Sequence, residues 1–233
     1  MIIDAVLAEA VRNNAEWCRA MCAAHGHPGT FGPRAWTHDR RTPLYYPDAV
    51  TLTGDATAGD VLTGIDRSTP GASVKDSYAR LDLAAEGFRL LFEAQWIHRP
   101  AGLPVPPAPG DWRAVRTPDE LAAWALAWSD GDADEAALFR PELLADPATT
   151  IVAGHAADGR ILGGAVLSAS ARVTGVSNLF ATGDTDPAEA WAGCLGLVPG
   201  DHVAVGYESG DDLTPALAAG FRETGPLRVW LDA

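Results

Sequence analysis

Asp212-Leu213-Thr214-Pro215-Ala216-Leu217-Ala218-Ala219-Gly220-Phe221-Arg222, running into Leu227-Arg228-Val229-Trp230-Leu231, is the stretch that decides the fold. It reads as a small-residue helix, a glycine stop, and an apolar strand. A glycine just past a helix can take the left-handed conformation that closes it, and the next apolar residue then enters the core. The same reading recurs earlier. Leu81-Asp82-Leu83-Ala84-Ala85-Glu86-Gly87-Phe88-Arg89 runs into Leu90-Leu91-Phe92-Glu93-Ala94-Gln95-Trp96-Ile97. Two Gly-Phe-Arg endings of this kind predict an α/β protein, arranged as a tandem of two related modules.

Working outward, Ile3 to Ala24 reads as a helix, with Val6, Ala10, Asn13, Trp17, Met21 and Ala24 at helical spacing. His25-Gly26-His27-Pro28-Gly29 ends it. A long loop from Thr30 to Pro47 follows. Ala49–Leu52, part of Ser73–Leu83, and Arg89–Ile97 read as strands, with a short helix within Ala56–Ile65. Pro100, Pro104, Pro106, Pro107 and Pro109 then form a semi-rigid connector. It divides the chain into modules 1–105 and 110–233. In the second, Thr117-Pro118-Asp119-Glu120 starts a helix by a capping box with proline at its first position. Thr149–Ala156 and Ile161–Ser168 form a hairpin about Asp158-Gly159. Val173–Ala181 is a strand, and Asp186-Pro187 caps the next helix. His202–Glu208 is a strand, Asp211–Ala219 a helix and Leu227–Leu231 the last strand. This order makes a mixed sheet flanked by helices.

The order of elements, the hairpin segment Gly159-Arg160-Ile161-Leu162-Gly163-Gly164-Ala165 and the ending Ala219-Gly220-Phe221 resemble the GNAT-type N-acetyltransferase superfamily. The likeness covers the second half, and the first half resembles a shorter, diverged copy. It implies a sheet with a splayed strand pair, and acetyl-CoA or another acyl-CoA as cofactor, transferring its acyl group to a small amine. The family seats the CoA diphosphate on backbone N–H groups before a helix. Its usual pattern there is Arg or Gln, two residues, Gly, one residue, then Gly or Ala. Here the matching stretch is Phe180-Ala181-Thr182-Gly183-Asp184-Thr185-Asp186-Pro187, and the pattern is absent. Asp186 caps the helix with its own carboxylate, and Pro187 lacks an N–H.

The charge balance is acidic, with 31 acids against 17 bases and a net charge of −14. Such a body repels phosphate backbones and anionic lipid, which excludes nucleic acid and membranes as expected partners. A small-molecule substrate and a homodimer are the partners expected. With no leader or membrane-length apolar run and three cysteines too few for a disulfide framework, a cytoplasmic protein is expected. Cys18, Cys22, His25 and His27 carry donor types that zinc accepts. Cysteines one helical turn apart on a core face are ordinary packing, however, and no metal is expected.

Sixteen of the 17 basic residues are arginine, and the single lysine is Lys75. A compact ammonium with a tunable pKa is a group that arginine cannot replace. Lys75 is therefore the first catalytic candidate, as an anchor for a substrate carboxylate or as a base once desolvated; the plain alternative is a lysine on a strand edge. Alternation puts Lys75 and Ser77 on one face of the strand, Asp76 and Tyr78 on the other. Tyr207 is the second candidate, near where the resemblance implies a tyrosine that protonates a leaving thiolate. Trp36, Arg40, Arg41, Tyr45 and Tyr46 make the loop aromatic and cationic, suited to an anionic or planar small molecule. Trp36, Arg40, Tyr46, Asp76, Trp96, Asn178 and Glu208 form the expected substrate-binding set. The expected activity is acyl transfer. The lost diphosphate pattern keeps two alternatives: the same fold turned to CoA-independent chemistry (a lyase, isomerase or carrier-dependent transferase), or a non-catalytic binding module.

Overall fold

A computed structural model describes residues 2–233, with side chains from residue 5 onward. In chain order the elements are α1 (Ile2–Ala24), β1 (Thr30–Phe31), β2 (Ala35–Thr37), β3 (Ala49–Thr51), α2 (Ala58–Leu62), β4 (Ser73–Asp76), β5 (Phe88–Arg99), β6 (Asp111–Ala114), α3 (Pro118–Trp128), α4 (Ala133–Ala136), β7 (Thr149–His155), β8 (Ile161–Ala169), β9 (Val173–Ala181), α5 (Pro187–Leu195), β10 (Val203–Glu208), α6 (Leu213–Ala218) and β11 (Arg222–Asp232). The segment 30–47, expected as loop, contains the short strands β1 and β2.

Two compact units result. One runs up to Trp96 and includes Tyr207–Ser209 and Glu223–Ala233; the other holds Ile97–Gly206 and Gly210–Arg222. The division passes through β5, not through the 105–110 break read from the prolines. Strand pairing decides it, because β11 from the far end of the chain pairs antiparallel with β4. The proline-rich segment lies inside the second unit. Buried Arg99 donates there to Ala219 O, Leu103 O and Pro104 O, tying the segment to the end of α6.

The first unit has the strand order β1-β2-β3-β4-β11-β5. The β3–β4 pair is parallel, while β1–β2, β2–β3 and β4–β11 are antiparallel, so the sheet is mixed. Its core packs Val61, Val74, Leu83, Phe88 and Trp230. The second unit has the order β10-β9-β8-β7-β6, with β9–β10 parallel and the others antiparallel. Its core packs Ile97, Leu167, Trp191, Leu195 and Phe221. Burial of such side chains is worth about 1.5–3 kcal/mol each.

The two Gly-Phe endings are alike in detail. Gly87 has φ +90° and Gly220 φ +95°. The Gly87 N–H donates to Ala84 O and Phe88 N–H to Leu83 O; Gly220 N–H donates to Leu217 O and Phe221 N–H to Ala216 O. This is the Schellman pattern of a left-handed glycine closing a helical turn. Phe88 and Phe221 are each buried directly afterwards.

Replacing Gly220 by Ala forces an L-residue into that left-handed conformation. It is expected to lower the unfolding free energy by about 1–2 kcal/mol, seen as a lower denaturant midpoint at unchanged slope. A second expectation comes from the start of α3. Thr117 Oγ1 accepts from Glu120 N–H, and the Glu120 carboxylate accepts from Arg116 N–H, Thr117 N–H and the Arg113 guanidinium. The Arg116 N–H bond and the Arg113 cation hold the Glu120 pKa down from 4.5 to about 2. A carboxylate depressed on folding stabilises above its unfolded pKa and loses that contribution as pH falls through its folded value. The stability gap between the native chain and Glu120→Gln is therefore expected to be full above pH 4.5 and to vanish towards pH 2, as measured by denaturation at stepped pH.

Candidate active site

Lys75 lies inside the sheet of the first unit. It is flanked by Val50 of β3 and Val229 of β11, and only 4% of its surface is exposed. The edge-strand reading therefore fails, because strands pair on both sides. Its Nζ donates to Asn14 Oδ1 at 2.9 Å and to the Tyr207 hydroxyl at 3.1 Å. It also stands 4.3 Å from the centroid of the Tyr207 ring, within cation–π range. Among the described residues no carboxylate forms an ion pair with it. Burial works against the Lys75 ammonium, while the Tyr207 oxygen and the Cys18 sulfur, both able to carry negative charge, favour it; the net push on its pKa is upward. Its contacts, an amide oxygen, a hydroxyl and a ring face, suit a hydrogen-bond-donating ammonium.

Asn14 and Cys18 are one turn apart on α1, on the face that also buries Val11 and Met21. Tyr207, near the end of β10, meets Trp96 edge-on at 5.5 Å between ring centroids. Trp96 is buried and donates from Nε1 to Ser77 O. It positions Tyr207 and does not reach open space.

Lys75 and Tyr207 line a cavity of about 540 Å³ with the segment Arg41–Asp48, Leu91 and Phe92 of β5, and Val229 and Leu231 of β11. Asp48 shapes this segment. It is 1% exposed and its carboxylate accepts from Arg41 Nη1 at 2.8 Å, Thr42 N–H at 3.0 Å and Ser73 N–H at 2.8 Å. Arg41 continues to the carbonyls of Asp66 and Thr69. Tyr46 is buried against Trp17, and Tyr45 stands at φ +70°.

The expected substrate-binding set is only partly brought together here. Tyr46 lines the cavity, as do Arg41 and Tyr45. Trp36 does not: it is fully buried in β2, with its indole N–H on Pro28 O. Arg40 is exposed away from the cavity. Asp76 is buried and caps the turn after β4, accepting from Leu81 and Tyr78 N–H; burial pushes its carboxyl pKa up. Glu208, next to Tyr207, does not line the cavity. Asn178 is in the second unit, at φ +53° where the β8–β9 register shifts, and does not line this cavity.

Sequence reasoning missed Asn14 and Asp48. The Asn13-Asn14 doublet within an apolar helix face was a legible signal, since asparagine competes with the helix backbone for hydrogen bonds. Asp48 had none, because its partners assemble only on folding.

Cys18 and Cys22 are buried in the core, and burial pushes the Cys22 thiol up to about 12, away from the thiolate that a metal needs. Among the described residues, His27, His38 and Asp39 bring potential ligand atoms within 4.8 Å of one another. Both ring nitrogens of His38 already face backbone carbonyls, Arg40 O and His27 O.

The fit of a CoA diphosphate can be tested at the turn between β9 and α5. Asp186 accepts from Ala188 N–H with its carboxylate, and Glu189 and Ala190 N–H donate to its carbonyl. Thr182 and Thr185 N–H are bonded to Leu162 O and Thr182 O, and Pro187 has none. Five N–H groups of this turn and the start of α5, those of Thr182, Thr185, Ala188, Glu189 and Ala190, are engaged, beside the carboxylates of Asp184 and Asp186. This turn does not fit the group.

No protein-family model matches the chain, and no curated protein matches it. Solved structures do. A GCN5-related N-acetyltransferase from Kribbella flavida is 17% identical, with a TM-score of 0.57 over 96% of this chain and 95% of that one. A GNAT-family acetyltransferase candidate from Novosphingobium aromaticivorans is 18% identical, with a TM-score of 0.53 over 93% and 95%. A functionally unknown conserved protein from Staphylococcus epidermidis is 9% identical, with a TM-score of 0.56 over 71% and 73%. In the second unit, β9 and β10 pair in parallel only at Val203–Val205, and β9 then runs on to Ala181. With that strand order and these likenesses, the chain has the fold of the GNAT-type N-acetyltransferase superfamily.

Proposed function

We propose that this protein is an acyltransferase-like enzyme acting on a small molecule that carries an anionic group, with the cavity of the first unit as its site. The reaction class rests on fold likeness. The site rests on one observation: a buried ammonium, Lys75, at a cavity wall without a carboxylate partner. A buried charge left unpaired costs free energy, and a protein tolerates it where a ligand completes it. Lys75 holds the anion. Tyr207 accepts from Lys75 through its oxygen, which leaves its own O–H to donate to the same ligand. Trp96 and Asn14 fix the orientation of this pair.

The occupied turn before α5 favours a second reading, in which the fold works without a CoA diphosphate seated there. Thermal denaturation with acetyl-CoA separates the two. A binder at a hundredfold excess over its dissociation constant gains about 2.7 kcal/mol. A shift of that size supports acyl-CoA chemistry, and an unchanged midpoint leaves the CoA-independent reading.

The role of Lys75 has its own check. Lys75→Met keeps the length and removes the charge together with its hydrogen bonds to Asn14 and Tyr207. Activity or anion binding is expected to be lost, and Lys75→Arg is not expected to restore it. Retained function in the methionine variant would remove Lys75 from the site.

A further inference from the structure

The cavity has two unlike ends, and together they define a ligand class. We infer that it binds a monocarboxylate with an aliphatic or aryl tail, the carboxylate on Lys75 and Tyr207 and the tail along the apolar mouth. This deepens the reading of Lys75 as an anion anchor and rests on it.

The polar end offers two donors. An ammonium has three N–H groups, and Lys75 spends two of them on Asn14 and Tyr207. The third has no protein acceptor among the described residues. With the Tyr207 O–H it makes a pair of donors matched to the two oxygens of one carboxylate. A dianion or phosphate is disfavoured at this end. Among the residues lining the cavity, the one other cation, Arg41, is already committed to Asp48 and two backbone carbonyls, so no second free cation meets a dianion.

The other end is apolar and open to solvent. Leu44, Tyr45, Leu91 and Phe92 are exposed by 58%, 63%, 45% and 37% and all line this cavity. They are four of the ten large apolar side chains that the described residues expose, so the exposure is concentrated where a ligand would enter. Apolar surface gathered at one concave site, with a few directed polar groups, marks a ligand pocket. Tyr45 reinforces this. A bulky residue at φ +70° is held in a costly left-handed conformation. The turn that holds it is closed by Tyr46 N–H on Pro43 O and by Thr42 Oγ1 on Tyr46 O. That strain keeps an aromatic ring at the mouth and out of the core. Val229 and Leu231 add apolar lining to the same cavity.

Calorimetric titration of the full chain with straight-chain carboxylates, from butanoate to decanoate, tests the inference. Octylammonium, 1-octanol and octanedioate are the controls. Affinity is expected to rise about fourfold per added methylene, the equivalent of roughly 0.8 kcal/mol each. Octanoate is expected to bind at least about tenfold more tightly than 1-octanol or octanedioate, and octylammonium not at all. Phe92→Asp, an exposed site where folding is retained, is expected to weaken octanoate by about tenfold or more while butanoate changes little. If chain length makes no difference and Lys75→Met abolishes every carboxylate, the anchor stands and the apolar-tail inference is overturned. If 1-octanol equals octanoate and Lys75→Met changes neither, the anchor itself falls and the inference with it. Binding of no carboxylate at all overturns both.

Discussion

The ammonium of Lys75, buried in the sheet of the first unit, is the constraint on which the site depends. Two side chains and the cavity surround that charge. Asn14 comes from α1 and Tyr207 from the end of β10, and the cavity lies beside them. The helix must keep a polar face there, against the apolar rule of its other buried positions. β10 must end where a tyrosine can reach across, and Trp96 must hold that ring edge-on. A substitution that merely packed this volume would serve the core better and leave the cavity without chemistry.

A second charge, on Asp48, does the complementary work. It is buried as deeply as Lys75 but is fully partnered by Arg41, Thr42 and Ser73, so it organises structure, and the proposed ligand contact falls to the lysine. Through it the segment 41–48 becomes a defined wall of the cavity instead of a mobile loop. The two buried charges are opposite in sign and are not paired with each other. One is satisfied internally and the other faces the cavity without a carboxylate partner among the described residues, and the proposed site rests on this asymmetry.

The fold superfamily is one whose members ordinarily hold an acyl-CoA, yet the turn before α5 is closed by its own carboxylate. A helix N-terminus is an anion site only while its N–H groups are unsatisfied. Asp186 and Pro187 remove that condition. Fold and site therefore separate in this protein: likeness of architecture gives a reaction class as a prior, and side chains decide whether its cofactor can be seated in the usual place.

Much of the fold was legible because its signals are local. The capping box at Thr117, the Asp186-Pro187 cap, the Gly87 and Gly220 closures and the strand Val173–Ala181 all act within a few residues, so composition and spacing determine them. The short strands around Trp36 were not legible, since they exist only by pairing with β3. Nor was the true division of the chain, because β11 returns to pair with β4 from far along the sequence. In the site, Lys75 and Tyr207 stood out by residue type and position, while their meeting, and the roles of Asn14 and Asp48, did not. The chain alone determined which groups could do chemistry and where its helices start and stop, since those depend on neighbours a few bonds away. Only the tertiary structure decided which groups meet, which charge stays unpaired and which aromatic rings are core, because burial and hydrogen-bond partners are set by residues far apart in sequence.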